Sequence, residues 1–267
     1  MPEPITLAPG ARCDLDQIPT RVDTVGFDKK SAYRRIARNA ETMAGLTRRL
    51  YAENRRSVLL VLQGMDAAGK DSTIRTVTRG LNPRSLLVHS FKKPGIEELD
   101  HDFLWRIHYR APRKGNIAIF NRSQYEDVLV VRVHDLAPGQ DWQERFDQIN
   151  QFERLLSETG TTILKCYLHI SRDEQRARLQ ARIDDPEAHW KFNPADLEER
   201  KLWDRYRHAY NEAITHCNTE HAPWYIIPAD RKWYRKLVVS ELLFSALQQI
   251  DPQIPLPQAD FRGLVVE

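Results

Sequence analysis

The sequence predicts an α/β fold, a parallel sheet sandwiched by helices, on three observations. Short continuous apolar runs recur along the chain, stretches of helical periodicity separate them, and a glycine-rich loop joins one run to the helix after it. Strands that alternate with helices form a parallel sheet covered on both faces, so each strand reads as an unbroken apolar run.

Residues 1–28 are irregular and contain proline, which suits an arm lying over the main body. From about Ser31 to Tyr51 the apolar residues Ile36, Ala40, Met43, Leu46 and Leu50 recur at helical spacing. "SVLLVLQ" (57–63) is the first buried-strand run, followed by the glycine loop and a helix to about Arg79. "SLLVHSF" (85–91), "NIAIF" (116–120), "TILKCYLHI" (162–170) and "WYIIP" (224–228) repeat the strand signature. Helical stretches are expected at about 97–110, 141–158, 172–183, 195–217 and 230–249. With no internal repeat, residues 1–267 read as one domain: an arm over 1–30, a lid over about 172–200 and a Pro-rich tail over 251–267.

Composition narrows the class. The 267 residues, 41% hydrophobic and 29% charged, can bury a large core and match an ordinary globular protein. No apolar run approaches the roughly 20 residues that span a bilayer, and the N-terminus lacks the order of a signal peptide. Cys13, Cys166 and Cys217 are scattered and odd in number, so a reducing cytoplasm is expected and no disulfide framework. A formal charge of +3 implies no polyanionic partner by itself; the distribution of the 40 basic residues decides that.

The stretch "LLVLQGMDAAGKDSTIRT" carries the chemistry. Gly64, Met65, Asp66, Ala67, Ala68, Gly69 and Lys70 fit G-x-x-x-x-G-K between a strand and a helix, but Asp71 and Ser72 follow where the common motif has Ser or Thr at once. Such a loop turns successive N–H groups toward phosphate oxygens and adds the positive end of the helix. Lys70 offsets a terminal phosphate, and Ser72 or Thr73 can offer hydroxyls. Asp66 is an anion inside a phosphate cradle, which repels its ligand unless a cation sits between them; Mg²⁺ takes both carboxylate and phosphate oxygens. Asp71 is either a second carboxylate of the site or a partner of Lys70 in the first helical turn.

The strand "NIAIF" ends at Asn121, within "NRSQYEDVLV", where many such enzymes carry a metal-binding Asp. Asn121 is neutral and a weaker ligand, and the acids Glu126 and Asp127 come a few residues later. Arg122 falls at the carboxyl end of the strand, where open α/β sheets bind ligands. There it either clamps phosphate with its planar fork or pairs with one of those acids.

"GMDAAGKDST" together with "FNRSQYEDVLVVRVH", "DDPEAHWKFNPADLEERKLWDRYRHAY" and "APWYIIPADRKWYRKL" resembles the polyphosphate kinase 2 family over roughly residues 30–250. The resemblance implies a P-loop kinase fold like that of thymidylate kinase, with a helical lid. It also implies reversible phosphoryl transfer between inorganic polyphosphate and nucleotides, with Mg²⁺ or Mn²⁺, and a tendency to form homo-oligomers. Asp66, Lys70 and Arg122 fall on the family's catalytic motif positions. Many members have "DRSWYNR" where this chain has "NRSQYED", so the strand-end ligand role passes to Asp127, which with Asp66 would hold the metal. This form resembles the subgroup that accepts both mono- and diphosphates, with Glu126 and Asn121 near the acceptor. AMP, ADP and ATP are the nucleotides this implies.

Two basic clusters could serve the donor. Arg172, Arg176, Arg178 and Arg182 lie on one expected helix, either a solvated face or a lid over the transferring phosphates; Arg178 and Arg182 are the preferred contacts, with Lys191 beyond them. Lys92, Lys93, Arg106, His108, Arg110, Arg113 and Lys114 form a second cluster, fit for a long polyanion. A backbone-only polyanion is the expected occupant rather than single-stranded nucleic acid, which is bound on stacking platforms, and neither nucleic acid nor membrane is an expected partner. Trp203, Tyr206, Tyr210 and Ile214 follow helical spacing and read as core. Two alternatives share these features. An ATP-dependent nucleotide kinase needs no extended basic track, and a non-catalytic polyanion-binding module has no use for Asp66, Asp127 and Lys70 together.

Overall fold

The computed structural model describes residues 3–23, 28–137, 139–257 and 265–266. Parts of the expected arm and of the tail, residues 258–264 among them, lie outside the described residues. In chain order the elements are β1 (Ile5–Thr6), α1 (Lys29–Glu53), β2 (Ser57–Gln63), α2 (Lys70–Val77), β3 (Leu86–Ser90), α3 (Ile96–Leu99), α4 (Trp105–His108) and β4 (Ile117–Asn121). A 3-10 turn (Gln124–Val128) follows, then α5 (Val130–Val133), α6 (Trp142–Glu158), β5 (Thr161–His169) and α7 (Arg172–Asp184). The chain continues through α8 (Ala195–Lys201), α9 (Trp203–His216), β6 (Trp224–Pro228) and α10 (Lys232–Ile250).

The six strands lie in the order β1-β6-β5-β2-β4-β3, parallel except for β1. The expected parallel sheet is therefore present, as an α/β fold with helices on both faces. Alternate residues of β2 enter different cores: Val58, Leu60 and Leu62 pack with Met43, Leu46 and Leu50 of α1 and Leu243 of α10. Leu59 and Val61 pack with Phe152 and Leu156 of α6 and Ile107 of α4. Burial on both sides is why β2 reads as an unbroken apolar run.

Three expectations need correction. The arm contributes β1, whose Ile5 pairs with Ile226, a contact too short and too distant in sequence to show as periodicity. "SLLVHSF" forms an edge strand with Leu87 and Val88 about half exposed, because no strand among the described residues lies beyond β3. The stretch 97–110 is two single turns, α3 and α4, separated where Asp102 caps the chain by accepting from the Leu104 N–H at 2.9 Å. No helix among the described residues is long and apolar enough to cross a membrane.

Candidate active site

The central strand β2 ends level with β4: Leu62 lies beside Asn121, and the Arg122 N–H donates to Leu62 O at 3.1 Å. This register sets the glycine loop beside Arg122 at the carboxyl ends of the strands, the expected place for a ligand. The loop turns through left-handed residues at Ala67 (φ 59°) and Gly69 (φ 102°). At this φ any L side chain is strained, and a Cβ at Gly69 would also push aside the Arg235 guanidinium, 2.1 Å away.

Lys70 is buried and donates to the carbonyls of Gly64 (2.7 Å) and Met65 (3.3 Å), which curls the ammonium into its own loop. Burial pushes its pKa down and Arg122 adds to that, while Asp66 and Glu126 oppose it. Arg122 itself adopts a left-handed backbone, φ 66°, an unfavourable state for an arginine that needs support from its surroundings. One terminal nitrogen donates to Asp66 Oδ1 at 2.9 Å and the other lies 3.6 Å from Glu126 Oε2. Burial opposes its charge, but Glu126 and Asp66 outweigh burial and keep it protonated. Burial raises the pKa of Glu126 against the pull of Arg122 and Lys70.

Two recesses meet here. One is lined by Asp66, Arg122, Glu126, Leu129, Trp203 and Tyr206, the other by Lys70, Asp71, Lys92, Lys93, Arg182 and Lys191. Asp66, Arg122, Asn193 and Asp196 belong to both. Lys92, Lys93, Arg182 and Lys191 are thus gathered at the site as expected, and Lys191 sits over the Trp190 ring at 4.8 Å. Arg182 reaches Asp196 at 3.4 Å across the expected lid.

Four expected residues do something else. Arg178 is buried and spends its whole guanidinium on Glu174 and on the carbonyls of Ala67, Ala68, Ala229 and Asp230, at 2.7 to 3.1 Å. It braces the phosphate loop from behind and has no donor left for a phosphate. Arg106 is buried too; it donates to Lys92 O (3.0 Å) and pairs with Glu98, so it steadies the loop carrying the lysines. Arg113 lies in the turn before β4, at the amino ends of the strands and so at the opposite end of the sheet from Gly69. Asp127 does not line either recess. It pairs with Arg145 at 3.3 Å, and burial raises its pKa to about 6, so it is not placed to share a metal with Asp66.

Other side chains were not singled out from the sequence. Arg235 donates to Thr73 Oγ1 (3.1 Å) and Ser72 Oγ (2.7 Å), which turns both hydroxyls away from the phosphate groove. Burial and the neighbouring Arg178 lower its pKa to about 10. Its signal was helical spacing: Arg235 shares a face of α10 with buried Val238 and Val239. Tyr210 is core, as expected, but its hydroxyl also accepts from the Gly64 N–H at 3.2 Å, and the residue lines the same recess as Trp203 and Tyr206. Gln175 holds Asp66 O at 3.0 Å.

The acidic and amide side chains on the groove side include Asp66, Asp71, Asn121 and Asp196, of which Asp196 is paired with Arg182. Asn121 Nδ2 donates to Asp71 at 2.7 Å, which leaves Asn121 Oδ1 buried without a hydrogen-bond partner. Carboxylate and amide oxygens with no nitrogen or sulfur among them fit a hard divalent cation. Among the described residues no group of three His, Cys, Asp or Glu could hold a metal alone, so phosphate oxygens would have to complete the shell.

Comparison with known proteins agrees with this geometry. The family model described as Polyphosphate kinase 2 matches residues 26–255. The AMP/ADP-polyphosphate phosphotransferase of Meiothermus ruber is 51% identical over 247 residues, 92% of each chain. The ADP-polyphosphate phosphotransferase of Rhodopseudomonas palustris is 43% identical over 259 residues, 92% of this chain and 89% of the relative. The crystal structure of polyphosphate kinase 2 from Arthrobacter aurescens TC1 superposes with a TM-score of 0.89 at 38% identity, covering 97% of this chain and 96% of that one. With the loop, the strand end and the whole sheet in agreement, the chain belongs to the polyphosphate kinase 2 family.

Proposed function

We propose that the protein transfers a terminal phosphoryl group from inorganic polyphosphate to ADP and to AMP, reversibly, in one phosphotransferase domain whose residues 172–200 act as a lid. The observation that carries this reading is the contrast between the two recesses that share Asp66 and Arg122. One has aromatic and apolar walls (Trp203, Tyr206, Leu129) suited to a nucleoside, and the other is lined with Lys92, Lys93, Arg182 and Lys191, suited to a chain of phosphates. The names of the Meiothermus ruber and Rhodopseudomonas palustris relatives, both polyphosphate phosphotransferases, support the donor, and the former, an AMP/ADP enzyme, supports acceptance of both nucleotides.

In the transfer, a terminal phosphate oxygen of the acceptor attacks the terminal phosphorus of polyphosphate. The bridging P–O bond breaks and the donor chain leaves one unit shorter. Positioning and electrostatics suffice, and no protein nucleophile is needed. The loop N–H groups and Lys70 hold the moving phosphoryl group, and Arg122 offsets charge on its equatorial oxygens. Glu126 faces the acceptor recess and favours AMP by placing its shorter phosphate chain. Mg²⁺ or Mn²⁺, held by Asp66 and Asn121 Oδ1 with phosphate oxygens, would neutralise phosphate charge between donor and acceptor. Closure of α7 and α8 would exclude water that could hydrolyse the donor.

Asp66→Asn and Lys70→Ala test the site. Each is expected to lower transfer by about 10²- to 10³-fold or more while the protein stays folded; near-wild-type rates in either variant contradict the reading.

A further inference from the structure

Between Arg122 and Glu126, which face the recess, Gln124 and Tyr125 point the opposite way and are fully buried. Both donate to the same atom: Gln124 Nε2 reaches Glu153 Oε1 at 2.9 Å and Tyr125 Oη reaches it at 2.8 Å. Glu153 sits on α6 and pairs through Oε2 with Lys165 Nζ at 2.6 Å, both side chains 0% exposed. Lys165 interrupts the apolar run of β5, and its three N–H bonds are all used: Glu153, Tyr125 Oη (2.8 Å) and Cys217 O (2.6 Å). The Tyr125 and Trp224 rings flank the ammonium at 5.3 and 5.2 Å.

A buried ion pair is a poor source of stability, because desolvation cancels much of its attraction and apolar replacements often serve as well. What this pair does is local. It tethers the first two residues of the 3-10 turn, which starts two residues after the strained Arg122 backbone. A left-handed arginine persists only where its surroundings over-determine it. On the near side the Arg122 N–H is fixed to Leu62 O and Ser123 Oγ accepts from Gln63 at 3.1 Å. On the far side the tether is Glu153.

We infer that Glu153 and Lys165 are positioning residues for the transfer site: through Gln124 and Tyr125 they set where Arg122 and Glu126 stand, and so govern use of the acceptor nucleotide without touching it. The inference rests on the polyphosphate-dependent reading above.

Two double variants test it. Glu153→Leu/Lys165→Met replaces the pair by apolar groups, and Gln124→Met/Tyr125→Phe cuts the turn free while leaving every charge in place. For both, the expected result is a fall of about 10- to 100-fold in kcat/KM for the acceptor, the range found for supporting partners of site residues. The KM for polyphosphate should change less than the KM for the acceptor, because Lys92, Lys93 and Lys191 do not rest on the turn and, of the residues it positions, Arg122 alone also lines the lysine-rich recess. A general loss of folded protein would instead lower all rates by one factor and leave both KM values alone. That pattern, or wild-type acceptor kinetics in the folded Gln124→Met/Tyr125→Phe variant, overturns the inference. If Glu153→Leu/Lys165→Met fails to fold, the second variant decides alone. A wild-type protein with no polyphosphate-driven turnover fails the functional reading instead, so the two failures are distinguishable.

Discussion

Asp66 and Arg122, from the ends of two adjacent strands, meet at 2.9 Å between the two recesses, and the same guanidinium extends its other nitrogen toward Glu126 at 3.6 Å. A planar fork holds two separated carboxylates in one fixed geometry, whereas an ammonium is a compact point charge on a flexible stem. Arg122→Lys therefore keeps the charge but loses the fixed spacing between Asp66 and Glu126. Transfer is expected to fall about 100-fold with little change in thermal midpoint, measured as initial rates beside a melting curve.

Two of the four arginines of α7, Arg178 and Arg182, separate structure from chemistry. Arg178→Ala removes the donor from four backbone carbonyls around the phosphate loop, of which, among the described residues, Ala229 O alone keeps a second, longer bond from Arg235 (3.4 Å), and is expected to cost about 2–4 kcal/mol of stability; Arg178→Lys restores little, because one ammonium cannot replace five N–H donors. Arg182→Ala, at the groove, should leave the melting temperature within about 2 °C and raise the KM for polyphosphate. Equal destabilisation by both would contradict the assignment.

Asp127 gives a pH signature. Its pKa is raised by burial, to about 6 against 3.8 in an unfolded chain. Between these values the folded state holds more protons than the unfolded one, so stability contributed by this group falls as pH rises from about 4 to 6. Asp127→Asn should flatten that part of a denaturation profile and keep transfer within about tenfold of wild type, short of the roughly 10²- to 10⁴-fold that one general acid–base group contributes. A loss as deep as that of Asp66→Asn would return Asp127 to the metal.

Salt should weaken donor use. A polyanion bound by several cations releases counterions, so log KM for polyphosphate should rise linearly with log salt concentration. Lys92→Ala/Lys93→Ala should reduce that slope by about two, with the acceptor KM unchanged. An unchanged slope would remove these lysines from the donor path.

The strands, the phosphate loop and the lysines were legible because each is a local pattern: apolar runs, glycine spacing, clustered charge. What was not legible depended on where a cation's neighbours come from. Arg178 and Arg182 look alike on one helix, yet Ala229, from the far end of the chain, draws Arg178 into the interior. Arg113 and Lys93 are close in sequence to one basic cluster, but a parallel strand carries its two ends to opposite sides of the sheet. Asp127 and Glu126 are adjacent, and the 3-10 turn points only Glu126 at the recess.

The donor is the centre of the account. Purified protein with Mg²⁺ should be offered AMP or ADP with either long-chain polyphosphate or ATP as donor, and the nucleotide products followed. The account predicts conversion of both AMP and ADP with polyphosphate and none of AMP with ATP alone. Turnover only with ATP would contradict it and leave the lysine-lined groove without a ligand.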